Sequence, residues 1–299
     1  MLSLVVLVAL IILAAFFFQK YLPEFKKISE VSVKYVFILA FFTLLTIFLN
    51  ALRIKMLAGF YNIKLKKREW FGLSAVTTMA NYLVPFKGGT SVKAIYLKKI
   101  HNFPYTSFAT TIGAVYIVSF FVYAVAGIVL TLMISAYYNK FNMAVFILLL
   151  VVFVSTASVM LFSPKLKERK NKMLNRLVTV ANEWRSMRKN RKFISKMVIL
   201  ETSAWLVMSG RLYYAFQALN YDISFLFCLF IAILSLLSAI VGITPANLGI
   251  REAVIAFSSK LLGASLVMGA YAAALDRAIA MIFVFVLGSI FSYVLAKHK

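Results

Sequence analysis

Eight apolar segments follow one another along the chain, near 2–18, 33–50, 70–86, 105–136, 141–162, 198–219, 223–244 and 264–296. A helix that crosses a bilayer needs roughly 20 predominantly apolar residues. The pattern therefore points to an all-α, polytopic membrane protein; a β-barrel would show short alternating segments instead. With 63% of its residues hydrophobic, the chain has no stretch that reads as a soluble domain, so 1–299 is expected to form a single transmembrane domain. Segment 2–18 lacks a basic leader and carries Phe16, Phe17 and Phe18 where a cleavage site needs small residues. It reads as a retained first helix. The runs 105–136 and 264–296 exceed one span and are expected to tilt or break.

The net charge is +24, from 33 Lys and Arg against 9 Asp and Glu. These charges sit between the apolar runs, so the positive-inside rule and anionic headgroups account for them and no nucleic-acid partner is needed. The segment 163–197 carries the strongest signal, with cations from Lys165 to Lys196 opposed only by Glu168 and Glu183. It is expected to be a cytoplasmic basic loop, as is 51–69 with Arg53 and Lys55, and the tail with Lys297 and Lys299. Lys20, Lys26 and Lys27 would then lie outside, diluted by Glu24 and Glu30. A surface-lying amphipathic helix accommodates them.

Two polar breaks interrupt apolar sequence. One reads Asn81-Tyr-Leu-Val-Pro85-Phe-Lys87-Gly-Gly89-Thr-Ser-Val-Lys93, the other Thr244-Pro245-Ala-Asn247-Leu-Gly249-Ile-Arg251-Glu252. Each has Gly four residues after Pro. Charge parity gives them a topology. With 51–69 and 163–197 both inside, 70–101 must dip and return as a hairpin around Pro85. Likewise 223–262 must form a hairpin around Pro245, between Asp222 outside and the basic tail inside. Two re-entrant hairpins entering from opposite faces make an inverted repeat, with 33–136 as the first copy and 198–296 as the second. The offset from Arg53 and Asn62 to Arg211 and Asn220 is 158 residues, and from Pro85 and Gly89 to Pro245 and Gly249 it is 160.

The breaks also carry the chemistry. Pro85 and Pro245 interrupt helical bonding, Gly89 and Gly249 permit tight turns, and freed amides at a half-helix N-terminus favour an anion. Lys87, Lys93 and Arg251 add full positive charge within the membrane, where a cation is costly. The plainer reading is a kinked helix with snorkelling cations, and Lys93 resembles Lys98 and Lys99 in that respect. Asn81 and Asn247 could supply neutral hydrogen bonds or cap a helix end. Glu252 could hold Arg251 or relay a proton. Asp276 and Arg277 interrupt the last apolar run and suit a structural ion pair with the second hairpin, or a gating or coupling role. Glu201 reads as an interfacial residue and Arg211 as a snorkelling one. Cys228, the single cysteine, excludes an internal disulfide and a cysteine-rich metal site. Only two Asp and two His, His101 and His298, are present, and no P-loop, zinc or serine-hydrolase motif occurs. No cofactor or metal is expected, and an ATP-driven pump would need a partner to supply its nucleotide domain.

At these breaks the sequence resembles the flippase-like family named for the transmembrane region of lysylphosphatidylglycerol synthase. That family shows an Asn followed by Pro-x-Arg-x-Gly-Glu-x-x-Arg, then a later Pro-x-x-x-Gly-x-Arg-Glu. Here Lys87 and Lys93 replace the first motif's arginines and Thr90 its glutamate; the second motif, Pro245 to Glu252, is intact. Lys keeps charge but loses the bidentate fork. The resemblance implies lipid translocation, since no soluble aminoacyl-transferase domain is evident. The expected function is flipping an anionic lipid headgroup, of a phospholipid or polyprenyl phosphate, across the cytoplasmic membrane. The expected substrate-binding set is Asn81, Pro85, Lys87, Gly89, Lys93, Pro245, Asn247, Gly249, Arg251 and Glu252. Glu252, Asp276 and Arg277 are candidates for coupling or gating. The alternative is a membrane enzyme acting on a lipid-phosphate carrier, which would rely on Glu252 and Asp276. A non-catalytic membrane scaffold that binds partners or anionic lipid through 163–197 is a third reading. A homo-oligomer is left open.

Overall fold

The computed structural model describes residues 31–167 and 171–297. The expected helix over 2–18, Lys20, Glu24, Lys26, Lys27, Glu30, Glu168, Arg169, Lys170, His298 and Lys299 lie outside the described residues. Among the described residues the protein is all-α, without a strand. In chain order the helices are α1 (Val33–Phe60), α2 (Lys67–Leu83), α3 (Gly88–His101), α4 (Tyr105–Tyr138) and α5 (Met143–Leu161). They continue with α6 (Lys172–Lys189), α7 (Arg191–Ala218), α8 (Phe225–Leu237), α9 (Ile250–Leu261) and α10 (Leu266–Lys297). Five of them, α1, α4, α5, α7 and α10, are long and apolar enough to cross a membrane. α5 is apolar on all sides and buries only Leu149, which suits a helix facing lipid.

Several boundaries differ from the sequence reading. α1 continues through Arg53 and Lys55 to Phe60, so the basic segment 51–69 is largely helical. The expected loop at 163–197 is mostly helix: α6 fills 172–189 and α7 begins at Arg191. α4 and α10 run unbroken, with 34 and 32 residues. At 1.5 Å per residue each measures roughly 50 Å, well beyond a hydrocarbon core of about 30 Å. The helices flanking the two breaks are short. α2, α3, α8 and α9 have 17, 14, 13 and 12 residues, against the roughly 20 of a typical spanning helix.

The chain packs as two compact units. Within the described residues, the first takes the chain up to Lys55, then Leu65–Lys93 and everything from Trp205 on; the second takes Met56–Lys64 and Ala94–Ala204. In the first unit α2 packs on α10: Ala75, Met79 and Tyr82 meet Met281, Val284 and Phe285, with Ile47 of α1 completing the cluster. Two glycines set that closeness. A Cβ at Gly288 would lie 2.5 Å from Met79, and one at Gly72 would lie 2.8 Å from Phe291. In the second unit Leu57, Ala114, Val118, Trp184, Met187, Phe193 and Met197 form the core.

α1 and α7 end alike. Asn62 and Asn220 both adopt left-handed φ, 60° and 54°. After α1, Asn62 N donates to Gly59 O and Ile63 N to Ala58 O; after α7, Asn220 N donates to Gln217 O and Tyr221 N to Phe216 O. A helix commonly ends on a left-handed residue, and Asn is the best non-glycine choice there.

Candidate functional site

Both breaks use one backbone device. After Pro85, Phe86 and Lys87 take φ of 54° and 57°; after Pro245, Ala246 and Asn247 take 47° and 54°. Two consecutive left-handed residues without glycine cost about 1–2 kcal/mol each. Such strain persists only where surrounding packing fixes it, and it concentrates at functional sites.

The two glycines serve different needs. Gly249 has φ 78° and ψ −41°, while a Cβ there would meet open space; it is required by conformation. Gly89 is required by proximity, because a Cβ would lie 2.0 Å from Thr77 O and 2.7 Å from Asn81 Oδ1. Gly89 N donates to that Asn81 oxygen at 2.9 Å, so Asn81 fastens the start of α3 to α2. Gly88 N and Thr90 N donate to Pro85 O and Lys87 O. The first amides of α3, expected to face an anion, are thus used inside the turn.

The second break sits beside a buried ion cluster within the first unit. Arg211 Nε donates to Asp276 Oδ1 and Arg251 Nη2 to Asp276 Oδ2, each at 2.7 Å. One carboxylate on α10 therefore joins α7 to α9. Its side chain is fully buried, and those of Arg211 and Arg251 are 7% and 17% exposed. Glu252 pairs with Arg277, the next residue of α10, while its other oxygen accepts from Gly249 N at 2.8 Å. Arg277 Nη1 donates to Ala246 O at 3.2 Å, and the guanidinium lies 5.9 Å from the centre of the Tyr82 ring. Arg277 Nη2 and Asn247 Oδ1 are buried without a hydrogen-bond partner among the described residues. Asn247 Nδ2 donates to Ser238 O at 3.1 Å.

Three arginines thus meet two carboxylates, which leaves one positive charge in excess. Lys87 adds a cation at the neighbouring break, where its stem lies against Gly242: a Cβ on Gly242 would come within 2.6 Å of Lys87 Cε. The breaks meet in a second way as well, since Ala246 and Leu83 both pack on the cluster that contains Tyr82. α9 has two faces. One carries Arg251 and Glu252; the other lines an apolar groove of about 570 Å³ with Gly249, Ile250, Val254, Phe257 and Leu261.

Most sequence candidates therefore converge. Lys87, Gly249, Arg251, Glu252, Asp276, Arg277, Asn247, Pro85 and Pro245 lie at or next to the paired breaks. Asn81 and Gly89 brace the first turn, and Lys93 sits two turns into α3. Arg211 does not snorkel: it is 6% exposed and ion-paired. Glu201 is 1% exposed and accepts from Tyr123 Oη at 3.1 Å within the second unit. Of the two roles open to Glu252, holding Arg251 or relaying a proton, the first is not through a direct ion pair: the pair is with Arg277. Arg211 was missed as a site residue because its partner is 65 residues away. The one signal was its offset of 158 residues from Arg53.

Among the described residues, five helices long and apolar enough to cross a membrane, with a buried ionic cluster beside a helix break, fit a multi-pass α-helical membrane protein. The family model for the lysylphosphatidylglycerol synthase transmembrane region matches residues 1–288. The chain belongs to that family. No curated protein and no solved structure matches it.

Proposed function

We propose that this protein is a flippase that carries the anionic headgroup of a phospholipid or polyprenyl phosphate across the cytoplasmic membrane. The observation that carries the reading is the cationic cluster of Arg211, Arg251 and Arg277 at a helix break in apolar sequence. Intramembrane charge is expensive, and it is retained where a substrate needs it. The headgroup phosphate sits between the breaks, near Arg251 and Lys87, and draws on the excess positive charge. The acyl or prenyl chain lies along the groove of α9, whose lining is almost wholly apolar.

An inverted repeat supplies the alternating access. Its support is register. α1 and α7 are both 28 residues long and begin at Val33 and Arg191, an offset of 158. α2 and α8 begin at Lys67 and Phe225, again 158 apart. Pro85 and Pro245 follow at 160, each succeeded by two left-handed residues. In this scheme α2–α3 and α8–α9 are re-entrant hairpins, and the second copy begins at Arg191. The basic segment 163–197 and the C-terminus face the cytoplasm. Asp276 and Glu252 act as counter-ions that gate the site. The enzymatic alternative relies on those same two acids as general base or metal ligands, and both are engaged by arginines.

The test is headgroup translocation in proteoliposomes, comparing native protein with Lys87→Ala, Arg251→Ala at equal, folded reconstitution. Loss of protein-dependent flipping in the double variant supports the assignment. Unchanged flipping would remove these residues from the site.

A further inference from the structure

α6 is an amphipathic helix whose apolar stripe outruns the protein it packs against. Met173, Leu177, Val180, Trp184 and Met187 recur at helical spacing and share one face. The C-terminal half of that stripe is buried, with Trp184 at 6% and Met187 at 0% exposure. The N-terminal half is not: Met173, Leu174 and Leu177 are 75%, 50% and 63% exposed.

The buried half is pinned at three helix ends of the second unit. Glu183 accepts from Tyr61 Oη at 2.7 Å, one residue past α1, and from Ser107 Oγ at 2.8 Å, in the first turn of α4. Burial and that carboxylate hold the Tyr61 phenol protonated, its pKa well above the usual value. Trp184 Nε1 donates to Val159 O, and Arg188 donates to Met160 O and, at 2.6 Å, to Leu161 O. These are the last carbonyls of α5. With 19 residues, α5 spans about 29 Å, close to the hydrocarbon thickness of a bilayer. Its C-terminal carbonyls therefore mark the membrane boundary, and α6 is docked at that level.

The overhanging half is strongly basic. Lys172 and Arg176 lie on it, Lys165, Lys167, Arg169 and Lys170 precede it against Glu168 alone, and the first three turns of α6 contain no acid. A basic, apolar-striped helix at the boundary matches an anionic membrane surface. We infer that the first two turns of α6 lie in the headgroup layer, with Met173, Leu174 and Leu177 inserted and the cations on anionic lipid phosphates. This contact is independent of transport. It replaces the expected free basic loop with a membrane-seated strut that fixes the ends of α1, α4 and α5.

The test places a single cysteine at Leu177, in a Cys228→Ala background, and labels it with an environment-sensitive fluorophore. A second labelled variant at Lys189 serves as the control. The protein is reconstituted into phosphatidylcholine vesicles with and without phosphatidylglycerol. The expected result at 177 is a blue shift, and quenching by lipids spin-labelled near the headgroup, both larger with phosphatidylglycerol and absent at 189. Lys172→Glu, Arg176→Glu should abolish the lipid-charge dependence. A 177 signal equal to that at 189 would overturn the inference. So would a blue shift that persists in detergent and is insensitive to quenching lipids, because it would mean that protein covers the stripe.

Discussion

Asp276 holds Arg251 at 2.7 Å across 25 residues of sequence, with the carboxylate fully buried. The pair ties α10 to the start of α9 at the second break, and Arg211 on the other carboxylate oxygen extends the tie to α7. Breaking a buried pair by removing one partner costs about 3–5 kcal/mol, whereas replacing the whole cluster with apolar residues of similar size is often neutral. Asp276→Asn, or Arg211→Met alone, should therefore lower the unfolding temperature sharply. The triple variant Arg211→Met, Arg251→Met, Asp276→Leu should recover most of the loss without recovering flipping. Thermal unfolding in detergent alongside the flipping assay separates these. Equal stability of the single and native proteins would show that the cluster is not tied as described.

Backbone conformation, not space, requires Gly249. Gly249→Ala should destabilise by about 1 kcal/mol or more through φ strain alone. Gly89→Ala should be worse, because its Cβ would collide with the Thr77 carbonyl, and α3 would have to move from α2. A denaturation series on both variants checks the order; a harmless Gly89→Ala would contradict the close approach.

Ala246 carries strain that glycine would relieve. Ala246→Gly should stabilise by up to about 1 kcal/mol, with Ala246 O still available to Arg277. A fall in unfolding temperature would mean that the Ala246 methyl, packed on the cluster that contains Tyr82, matters more than the left-handed backbone.

Membrane depth tests the hairpins. In a Cys228→Ala background, single cysteines at Lys64 and Lys196 should react with an impermeant thiol reagent only from the cytoplasmic side, and one at Asp222 only from outside. Labelling of Lys196 and Asp222 from the same side would remove the opposed hairpins and the repeat with them.

Much of the fold was legible because hydropathy sets helix positions in lipid. The apolar segments from residue 33 onward became helices, and Pro85 and Pro245 lie at the real breaks. Charge density misled at 163–197, where cations suggested a loop; the stripe from Met173 to Met187 was present but overshadowed. Lys87, Arg251 and Asp276 were readable as costly intramembrane charges. Their pairing was not, because which acid meets which arginine depends on helix rotation and on contacts 25 and 65 residues apart. The burial of Glu201 escaped for the same reason, since Tyr123 lies 78 residues away.

If the paired breaks carry an anionic headgroup through the membrane, headgroup movement must depend on Lys87 and Arg251. Its most direct measurement is the rate at which a fluorescent phospholipid headgroup becomes inaccessible to an impermeant reductant in proteoliposomes. The expected result is flipping well above protein-free vesicles for the native chain, and background rates for Lys87→Ala, Arg251→Ala with the fold intact. Flipping that is unchanged in this variant would contradict it.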